Sequence, residues 1–195
     1  MNTIVLASNN NGKLLEFNHI FFDRVKIESL KETGFFDEIV ESGNTFIENA
    51  LIKAKTVHDY CKRPVLADDS GLCVDALNGE PGVFSARYGG NNLKDSERNS
   101  LLIKNLQDAK DYKAQFVCAL VLYINPNRVY IVQEELKGEI ILTPRGENGF
   151  GYDPIFYIRE LGKTLAELTS DEKNSISHRA KASLNMKKLI LSNNF

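Results

Sequence analysis

The chain has 195 residues, of which 43% are hydrophobic and 26% are charged, a composition typical of one globular domain. Its 24 lysines and arginines and 26 acidic residues give a formal net charge of -2. Because a protein that binds polyanions carries a basic excess, this balance argues against nucleic acid and anionic membranes as main partners. With 13 glycines and 5 prolines, the composition also excludes a low-complexity or mainly disordered chain.

The cysteines and the N-terminus indicate the compartment. Cys61, Cys73 and Cys118 include no C-x-x-C pair and do not form the dense, even set of a disulfide framework. The histidines are equally scattered, without the spacing of a zinc site. The apolar run Ile4 to Ala7 is too short for a signal peptide, and no run approaches the roughly 18 apolar residues that span a bilayer. We expect a soluble, cytoplasmic protein with a single domain over residues 1–195.

The N-terminal part alternates a short apolar strand with helices. Thr3 to Ala7 is an apolar run typical of a buried strand, and a helical pattern follows from Leu14 to Phe21. Thr45 and Glu48 have the spacing of a capping box, in which the two side chains satisfy free N–H groups at the start of a helix. This motif predicts a helix from there to about Tyr60.

The middle of the chain predicts a second buried strand from Pro64 to Ala67, which ends at Asp68 and resumes from Leu72 to Leu77. A glycine-rich loop follows, and then a helix near Asp95 to Leu106. Such alternation of strands and helices favours an α/β fold.

The C-terminal part contains a predicted β-hairpin with strands from Phe116 to Ile124 and from Val129 to Leu136. A further strand is expected around Glu139 to Leu142, and a helix from Ser177 to Leu191. A hairpin inside an alternating pattern predicts an α/β fold with a mixed central sheet flanked by helices.

The turn after the first strand is the first candidate site. It is rich in small polar residues, from Ser8 to Gly12, and Lys13 follows. A strand-to-helix turn presents backbone N–H groups and a helix N-terminus, which favour phosphate oxygens, and Lys13 adds a positive charge. The spacing of a P-loop is absent. The alternative is an ordinary helix cap with a solvated lysine.

Two consecutive carboxylates, Asp68 and Asp69, form the second candidate site at the end of the predicted strand. Buried carboxylates are costly unless a cation or hydrogen-bond donors balance them, and hard oxygen ligands suit Mg²⁺. Glu41, which lies just before the capped helix, is a further candidate carboxylate. The alternative is that one aspartate caps a turn and the other is solvated.

Two further motifs carry an aromatic ring and hydrogen-bond donors. The segment Gly149 to Pro154 places Phe150 between two glycines, which allows the ring to present its face to a nucleobase. The alternative is a tight loop around a core aromatic. The fourth motif consists of Lys173 and the segment Ser177 to Arg179, in which a serine cap would place His178 and Arg179 in a first helical turn as donors with no acidic residue beside them. The alternative is a capped surface helix with solvated charges.

Taken together and in this order, the motifs resemble those of the non-canonical purine nucleoside triphosphate pyrophosphatases, the inosine/xanthosine triphosphate family. The resemblance covers nearly the whole chain, and its least diagnostic part is Asp108 to Gly138. The matching segments are Ser8 to Lys13, Glu41 to Ala50, Ala67 to Leu72, Pro81 to Tyr88, Gly149 to Phe156 and Lys173 to Arg179.

The resemblance implies an elongated, two-lobed α/β fold with a mixed, twisted central sheet and a substrate cleft between the lobes. It implies hydrolysis of ITP, dITP or XTP to the monophosphate and pyrophosphate by a Mg²⁺-dependent homodimer. Glu41 and Asp69 would hold the metal, and Asp69 would also accept a proton. The substrate-binding residues implied are Ser8, Asn9, Asn10, Asn11, Gly12, Lys13, Lys53, Ser70, Phe150, Gly151, Tyr152, Asp153, Lys173, His178 and Arg179.

Three questions stay open at this point. Asp68 is either a metal-site residue or a structural one. A related nucleotide pyrophosphatase that acts on other modified bases is one alternative function, and a non-catalytic nucleotide-binding protein of the same fold is another. Release of pyrophosphate from a panel of triphosphates, with and without Mg²⁺, distinguishes these functions.

Overall fold

The computed structural model describes residues 2–21 and 23–193 and contains a mixed sheet of 7 strands in the order β2-β1-β3-β4-β5-β6-β7. Strand β1 pairs in parallel with β2 and β3, whereas β6 pairs antiparallel with β5 and β7. The strands are β1 (Asn2–Leu6), β2 (Val25–Ser29), β3 (Val65–Val74), β4 (Lys113–Asn125), β5 (Arg128–Ile140), β6 (Phe156–Ile158) and β7 (Lys163–Thr164). The predicted α/β fold with a mixed sheet is confirmed.

The helices agree closely with the sequence pattern. Helix α1 begins at Asn11, inside the predicted polar turn and earlier than the helical pattern from Leu14, and α2 begins at the predicted capping box. The helices are α1 (Asn11–Phe21), α2 (Phe46–Cys61), α3 (Asp95–Asn105), α4 (Ser170–Ile176) and α5 (His178–Ser192). Within the described ranges, no helix has the length and apolar character needed to cross a membrane.

The chain divides into two compact units, each with its own hydrophobic core. The first unit consists of Met1–Asp69, Cys118–Glu134 and Arg179–Phe195. Its core includes Ile4, Leu6, Phe17, Phe21, Leu66, Leu120, Leu122 and Met186. The second unit consists of Ser70–Val117 and Glu135–His178. Its core includes Leu72, Val74, Leu102, Phe116, Ile155 and Phe156.

Strand β3 differs from its prediction. It does not end at Asp68 but continues through both aspartates and Ser70 to Val74. The sequence pattern failed here because charged residues are normally excluded from a buried strand. Asp68 is only 1% exposed in this strand, where the ammonium of Lys13 balances its charge.

Other differences concern short or merged elements. The strand expected around Glu139 to Leu142 is the end of β5, which reaches Ile140 without interruption. Strand β2 and helix α4 were not predicted, because both are short and β2 offers only two alternating apolar residues, Val25 and Ile27. Strand β2 is held by its parallel pairing with β1, a tertiary interaction that no local pattern records.

Helix α2 carries two buried polar side chains, Asn49 and Lys53, and its start depends on the capping box. Thr45 Oγ1 accepts a hydrogen bond of 3.1 Å from the backbone N–H of Glu48, and the Glu48 carboxylate accepts one of 3.1 Å from the Thr45 N–H. The cap therefore satisfies free N–H groups and sets where the first turn begins.

We expect Thr45→Ala to lower the free energy of unfolding by about 1 kcal/mol, because the Glu48 N–H loses its acceptor. Urea denaturation measures this loss. The matched control is Thr56→Ala, which replaces an exposed threonine inside the same helix by a better helix former and is expected to cause no loss. Equal stability of the wild type and Thr45→Ala would contradict the role of the cap.

Candidate active site

Three charged side chains converge in the first unit. Lys53, on α2, places its Nζ 3.2 Å from Glu41 Oε2 and 3.4 Å from Asp69 Oδ1. Glu41 lies in the loop before α2, and Asp69 lies in β3. Lys53 and Asp69 are buried, whereas the Glu41 side chain is 30% exposed. The carboxylates of Glu41 and Asp69 thus both face the Lys53 ammonium, and solvent reaches this cluster at Glu41.

Asn49 holds Asp69 from the other side. Its Nδ2 donates a hydrogen bond of 3.2 Å to Asp69 Oδ2, and its Oδ1 accepts one of 2.8 Å from the Gly43 N–H. A Cβ at Gly43 would lie 2.8 Å from Asn49 Oδ1, so this position requires glycine. Asn49 was not predicted as a site residue. Its place four residues before Lys53, on the same face of α2, was the available signal.

Burial raises the pKa of Asp69 above its ordinary value; the positive charge of Lys53 opposes this shift and the negative charge of Glu41 adds to it. A carboxylate with a raised pKa is a stronger base than an ordinary surface aspartate. The raised pKa also means that the ionised form of Asp69 lowers the stability of the folded protein. Such shifts are common at functional sites.

Asp68 has the opposite environment. Neighbouring residues of a strand point to opposite faces, and Asp68 faces Lys13, whose Nζ lies 2.8 Å from its Oδ2. Arg179 Nε lies 3.5 Å from the same oxygen, and Arg179 also pairs with Glu16 at 2.9 Å. Burial opposes ionisation of Asp68, but the charges of Lys13 and Arg179 outweigh it and hold its pKa well below the usual range. Asp68 therefore anchors a buried ion-pair cluster.

The polar turn from Ser8 to Lys13 borders the same region. Asn10 Oδ1 accepts a hydrogen bond of 3.1 Å from the Lys13 N–H, so Asn10 caps α1. Ser8 Oγ in turn accepts one of 3.2 Å from the Asn10 N–H, while the turn from Asn9 to Gly12 is exposed. A cavity of about 240 Å³ is lined by residues that include Ser8, Asn9, Lys13, Glu41, Lys53 and Asp68. The structure thus brings five predicted site residues together with Asp68, whose role the sequence left open.

A second group of predicted residues lies in the second unit. The Phe150 ring is 57% exposed, and Lys173 Nζ lies 4.7 Å from its centroid. Asp153 Oδ2 accepts hydrogen bonds from Lys173 Nζ at 2.5 Å and from the Phe150 N–H at 2.9 Å. A Cβ at Gly149 would lie 2.1 Å from Asp153 Oδ2, and the φ of Gly149 is 79°. Both the close contact and the positive φ therefore require glycine at this position.

Three other predicted residues are less available for direct contact. Tyr152 is buried in the core of the second unit, where its hydroxyl donates to the carbonyl of Ser85 and burial raises its pKa. His178 is buried and stacked on Phe116, with ring centroids 5.0 Å apart. Ser70 is half-buried within β3.

Arg179 also differs from its prediction. The sequence shows no acidic residue beside it, but the fold supplies Asp68 and Glu16, so the interpretation of Arg179 as a donor without an acidic partner was wrong. Burial on α5 opposes the charge of Arg179, but the carboxylates of Asp68 and Glu16 outweigh it and hold the pKa of the guanidinium above its ordinary range. These partners are distant in the chain, which is why the sequence did not reveal them.

The donor set near Lys53 can be compared with what Mg²⁺ requires. Glu41 and Asp69 supply hard carboxylate oxygens that already face a single cationic group. Mg²⁺ commonly binds one or two carboxylates and completes its shell with water and substrate phosphates. The chemistry of this pair therefore fits Mg²⁺. In the described residues, no group of three or more His, Cys, Asp or Glu side chains is arranged to hold a metal.

The fold and the charged cluster define an α/β protein with a buried carboxylate–lysine site beside a polar strand-to-helix turn. The model of the Ham1 family matches residues 4–189, and the chain belongs to this family. The chain is 46% identical over 190 residues to the dITP/XTP pyrophosphatase of Treponema denticola, covering 96% of this chain and 97% of that protein. It is 45% identical over 193 residues to the dITP/XTP pyrophosphatase of Bacillus subtilis, covering 97% and 98%.

A solved structure shows the same fold. The HAM1 protein from Coxiella burnetii superposes with a TM-score of 0.94 at 44% identity, covering 98% of this chain and 100% of that one. The resemblance inferred from the motifs is therefore confirmed.

The two adjacent aspartates provide a matched pair for stability. We expect Asp68→Asn to lower the free energy of unfolding by about 3–5 kcal/mol, because it removes the buried carboxylate that balances the half-buried Lys13 and leaves the buried Arg179 with Glu16 alone. We expect Asp69→Asn to raise it at pH 7, because it removes a carboxylate whose ionised form is disfavoured by burial. Urea denaturation measures both changes, with the exposed Asp59→Asn as the control.

The pH dependence follows from the same shifts. The pKa of Asp68 is lower in the folded than in the unfolded chain. The stabilisation that ionised Asp68 gives the fold is therefore fully present above its unfolded-state pKa and is lost as pH falls through its folded-state pKa. The pKa of Asp69 is higher in the folded chain, so stability falls as pH rises from the unfolded to the folded pKa. Equal effects of the two asparagine variants would contradict this assignment.

Proposed function

We propose that the chain is a nucleoside-triphosphate pyrophosphatase that hydrolyses non-canonical purine nucleotides, namely ITP, dITP and XTP, to the monophosphate and pyrophosphate. The names of the relatives and their identity over nearly the full chain support this reaction. The structural observation that carries it is the buried Asp69 with a raised pKa, held by Asn49 and Lys53 opposite Glu41.

Hydrolysis at the α-phosphorus requires little covalent chemistry from the protein. It requires positioning of the attacking water and neutralisation of charge on the phosphate oxygens. Asp69 accepts the proton of this water, since burial makes it more basic than a surface aspartate. Lys13 and Lys53 lie at the same cavity and neutralise the pyrophosphate leaving group.

The proposed cofactor is Mg²⁺, with Glu41 and Asp69 as its protein ligands. When bound, it supplies positive charge to the phosphate oxygens of the substrate. The nearby Lys53 ammonium lies between the two carboxylates and compensates their charges in this structure. Lys53 therefore offsets the repulsion between the two carboxylates and keeps them close enough to bind the same Mg²⁺ ion.

The turn from Ser8 to Lys13 is the proposed triphosphate site, and Phe150 is the proposed stacking surface for the base. Lys173 lies beside the Phe150 ring and donates a hydrogen bond to Asp153, and its ammonium has two further N–H groups. A donor there suits the O6 and N7 acceptors of hypoxanthine and xanthine, whereas adenine places an amino donor at the position of O6. Ser70, Tyr152, His178 and Arg179 stay predictions as further substrate contacts.

We also propose that the protein acts as a homodimer in the cytoplasm, as the family resemblance implies. A reducing compartment is consistent with Cys61, Cys73 and Cys118, none of which forms a disulfide in the described part of the chain. Sedimentation of the purified protein distinguishes a dimer from a single chain.

Hydrolysis of dITP or XTP is expected to release the monophosphate and intact pyrophosphate. Phosphorus NMR identifies the products, and orthophosphate as the primary product would overturn the proposed reaction.

ATP is expected to react at least about tenfold less efficiently, because an unpaired buried donor costs about 1–3 kcal/mol. Faster hydrolysis of modified pyrimidine triphosphates would favour the related pyrophosphatase, and binding without turnover would favour a nucleotide-binding protein.

Asp69→Asn is expected to lower turnover by about 10²-fold or more, because it removes the proton acceptor and one metal ligand. Steady-state release of pyrophosphate from dITP measures the loss, and Asp59→Asn, in an exposed ion pair, is the control.

Excess chelator is expected to abolish the wild-type activity and added Mg²⁺ to restore it. Near wild-type turnover of Asp69→Asn, or activity in excess chelator, would remove Asp69 or the metal from the proposal.

A further inference from the structure

The loop around Phe150 is anchored by helix α3, through residues outside the motifs that identify the family. The Gly151 N–H donates a hydrogen bond of 2.7 Å to Asp95 Oδ2. The Gly151 carbonyl accepts one of 3.0 Å from Asn99 Nδ2. Both polar groups of one loop residue are therefore held by side chains four residues apart, which lie on the same face of α3.

Among the described residues, the side chains of Asp95 and Asn99 form no hydrogen bond within their own helix. The free N–H at the start of α3 is satisfied by Glu97, whose Oε2 accepts a hydrogen bond of 2.8 Å from the Lys94 N–H. Asp95, in the same first turn, instead directs its carboxylate to Gly151. The first turn of α3 thus separates two tasks: Glu97 caps the helix and Asp95 holds the loop.

Asn99 holds the loop at a cost. It is 4% exposed, and its Oδ1 is buried without a hydrogen-bond partner among the described residues. A buried, unsatisfied acceptor destabilises a fold, and an apolar side chain of similar size avoids this cost. A position that violates packing rules in this way is characteristic of a functional rather than a stabilising role.

The held residue controls the aromatic ring beside it. Phe150 is 57% exposed, so core packing does not fix the direction of its ring. Its direction depends on the backbone, where Gly149 and Gly151 both have positive φ values, 79° and 62°. Glycine backbone is the most freely rotating in proteins, so an anchor on Gly151 removes freedom where it affects the ring most.

We propose that Asp95 and Asn99 are positioning residues that set the Phe150 ring for stacking on the purine base. The inference rests on the proposed function, since it specifies how the base-binding part of that site is held. Their hydrogen bonds to Gly151 preorganise the loop, so that the substrate does not have to order it on binding. Loss of this order weakens ground-state and transition-state binding alike, which raises KM and leaves kcat nearly unchanged.

The test compares Asp95→Ala, Asp95→Asn and Asn99→Leu with the wild type in steady-state hydrolysis of dITP at saturating Mg²⁺. Asp95→Ala is expected to raise KM about tenfold with kcat within about twofold, because one hydrogen bond to the loop is lost. Asp95→Asn is expected to stay near the wild type, because its amide oxygen still accepts from the Gly151 N–H. Ser100→Ala is the control, since Ser100 is exposed on the same helix and, among the described residues, its hydroxyl donates only to the Ser96 carbonyl.

Asn99→Leu is expected to raise KM while its melting temperature equals or exceeds that of the wild type. Loss of activity in proportion to lost stability would show a merely structural role and overturn the inference, as would unchanged KM in Asp95→Ala. If Asn99→Leu does not fold, the two exposed-site variants at Asp95 still decide the question. An inactive wild type would instead defeat the proposed function itself, and the inference with it.

Discussion

Burial of two adjacent carboxylates in β3 is the constraint on which the first unit depends. Strand geometry sends Asp68 and Asp69 to opposite faces, so each needs its own source of positive charge. Lys13 and Arg179 serve Asp68, while Lys53 serves Asp69 together with Glu41. Ion pairs thereby connect this one strand to α1, α2 and α5. The charged site forms when the first unit folds.

The elements with strong local signals were predictable from the sequence. The capping box at Thr45 located the start of α2, and the polar turn after β1 located the start of α1. The β-hairpin of β4 and β5 followed from two long apolar runs around a turn with Asn125 and Asn127. In each case the information lies within a few residues of the element that it determines.

What the sequence did not reveal depends on contacts between distant residues. The two acidic partners of Arg179, at Glu16 and Asp68, come from other elements, so its ion pairs have no local pattern. β3 was predicted to end at Asp68 because the cations that permit a buried carboxylate are far away in the chain. Asp95 and Asn99 were missed for a related reason: their partners are the backbone N–H and carbonyl of Gly151, and no sequence pattern pairs a side chain with a distant backbone group.

The opposite pKa shifts of the two aspartates show how stability and reactivity are divided. Asp68 is held ionised by cations that exceed the cost of its burial, so its charge supports the fold. Asp69 keeps a weaker compensation, because Glu41 competes with it for Lys53. Burial raises the pKa of Asp69 most, and the negative charge of Glu41 adds to this shift, so the Asp69 carboxylate is more basic than a surface aspartate. The stability lost at Asp69 is therefore the physical source of the reactivity proposed for it.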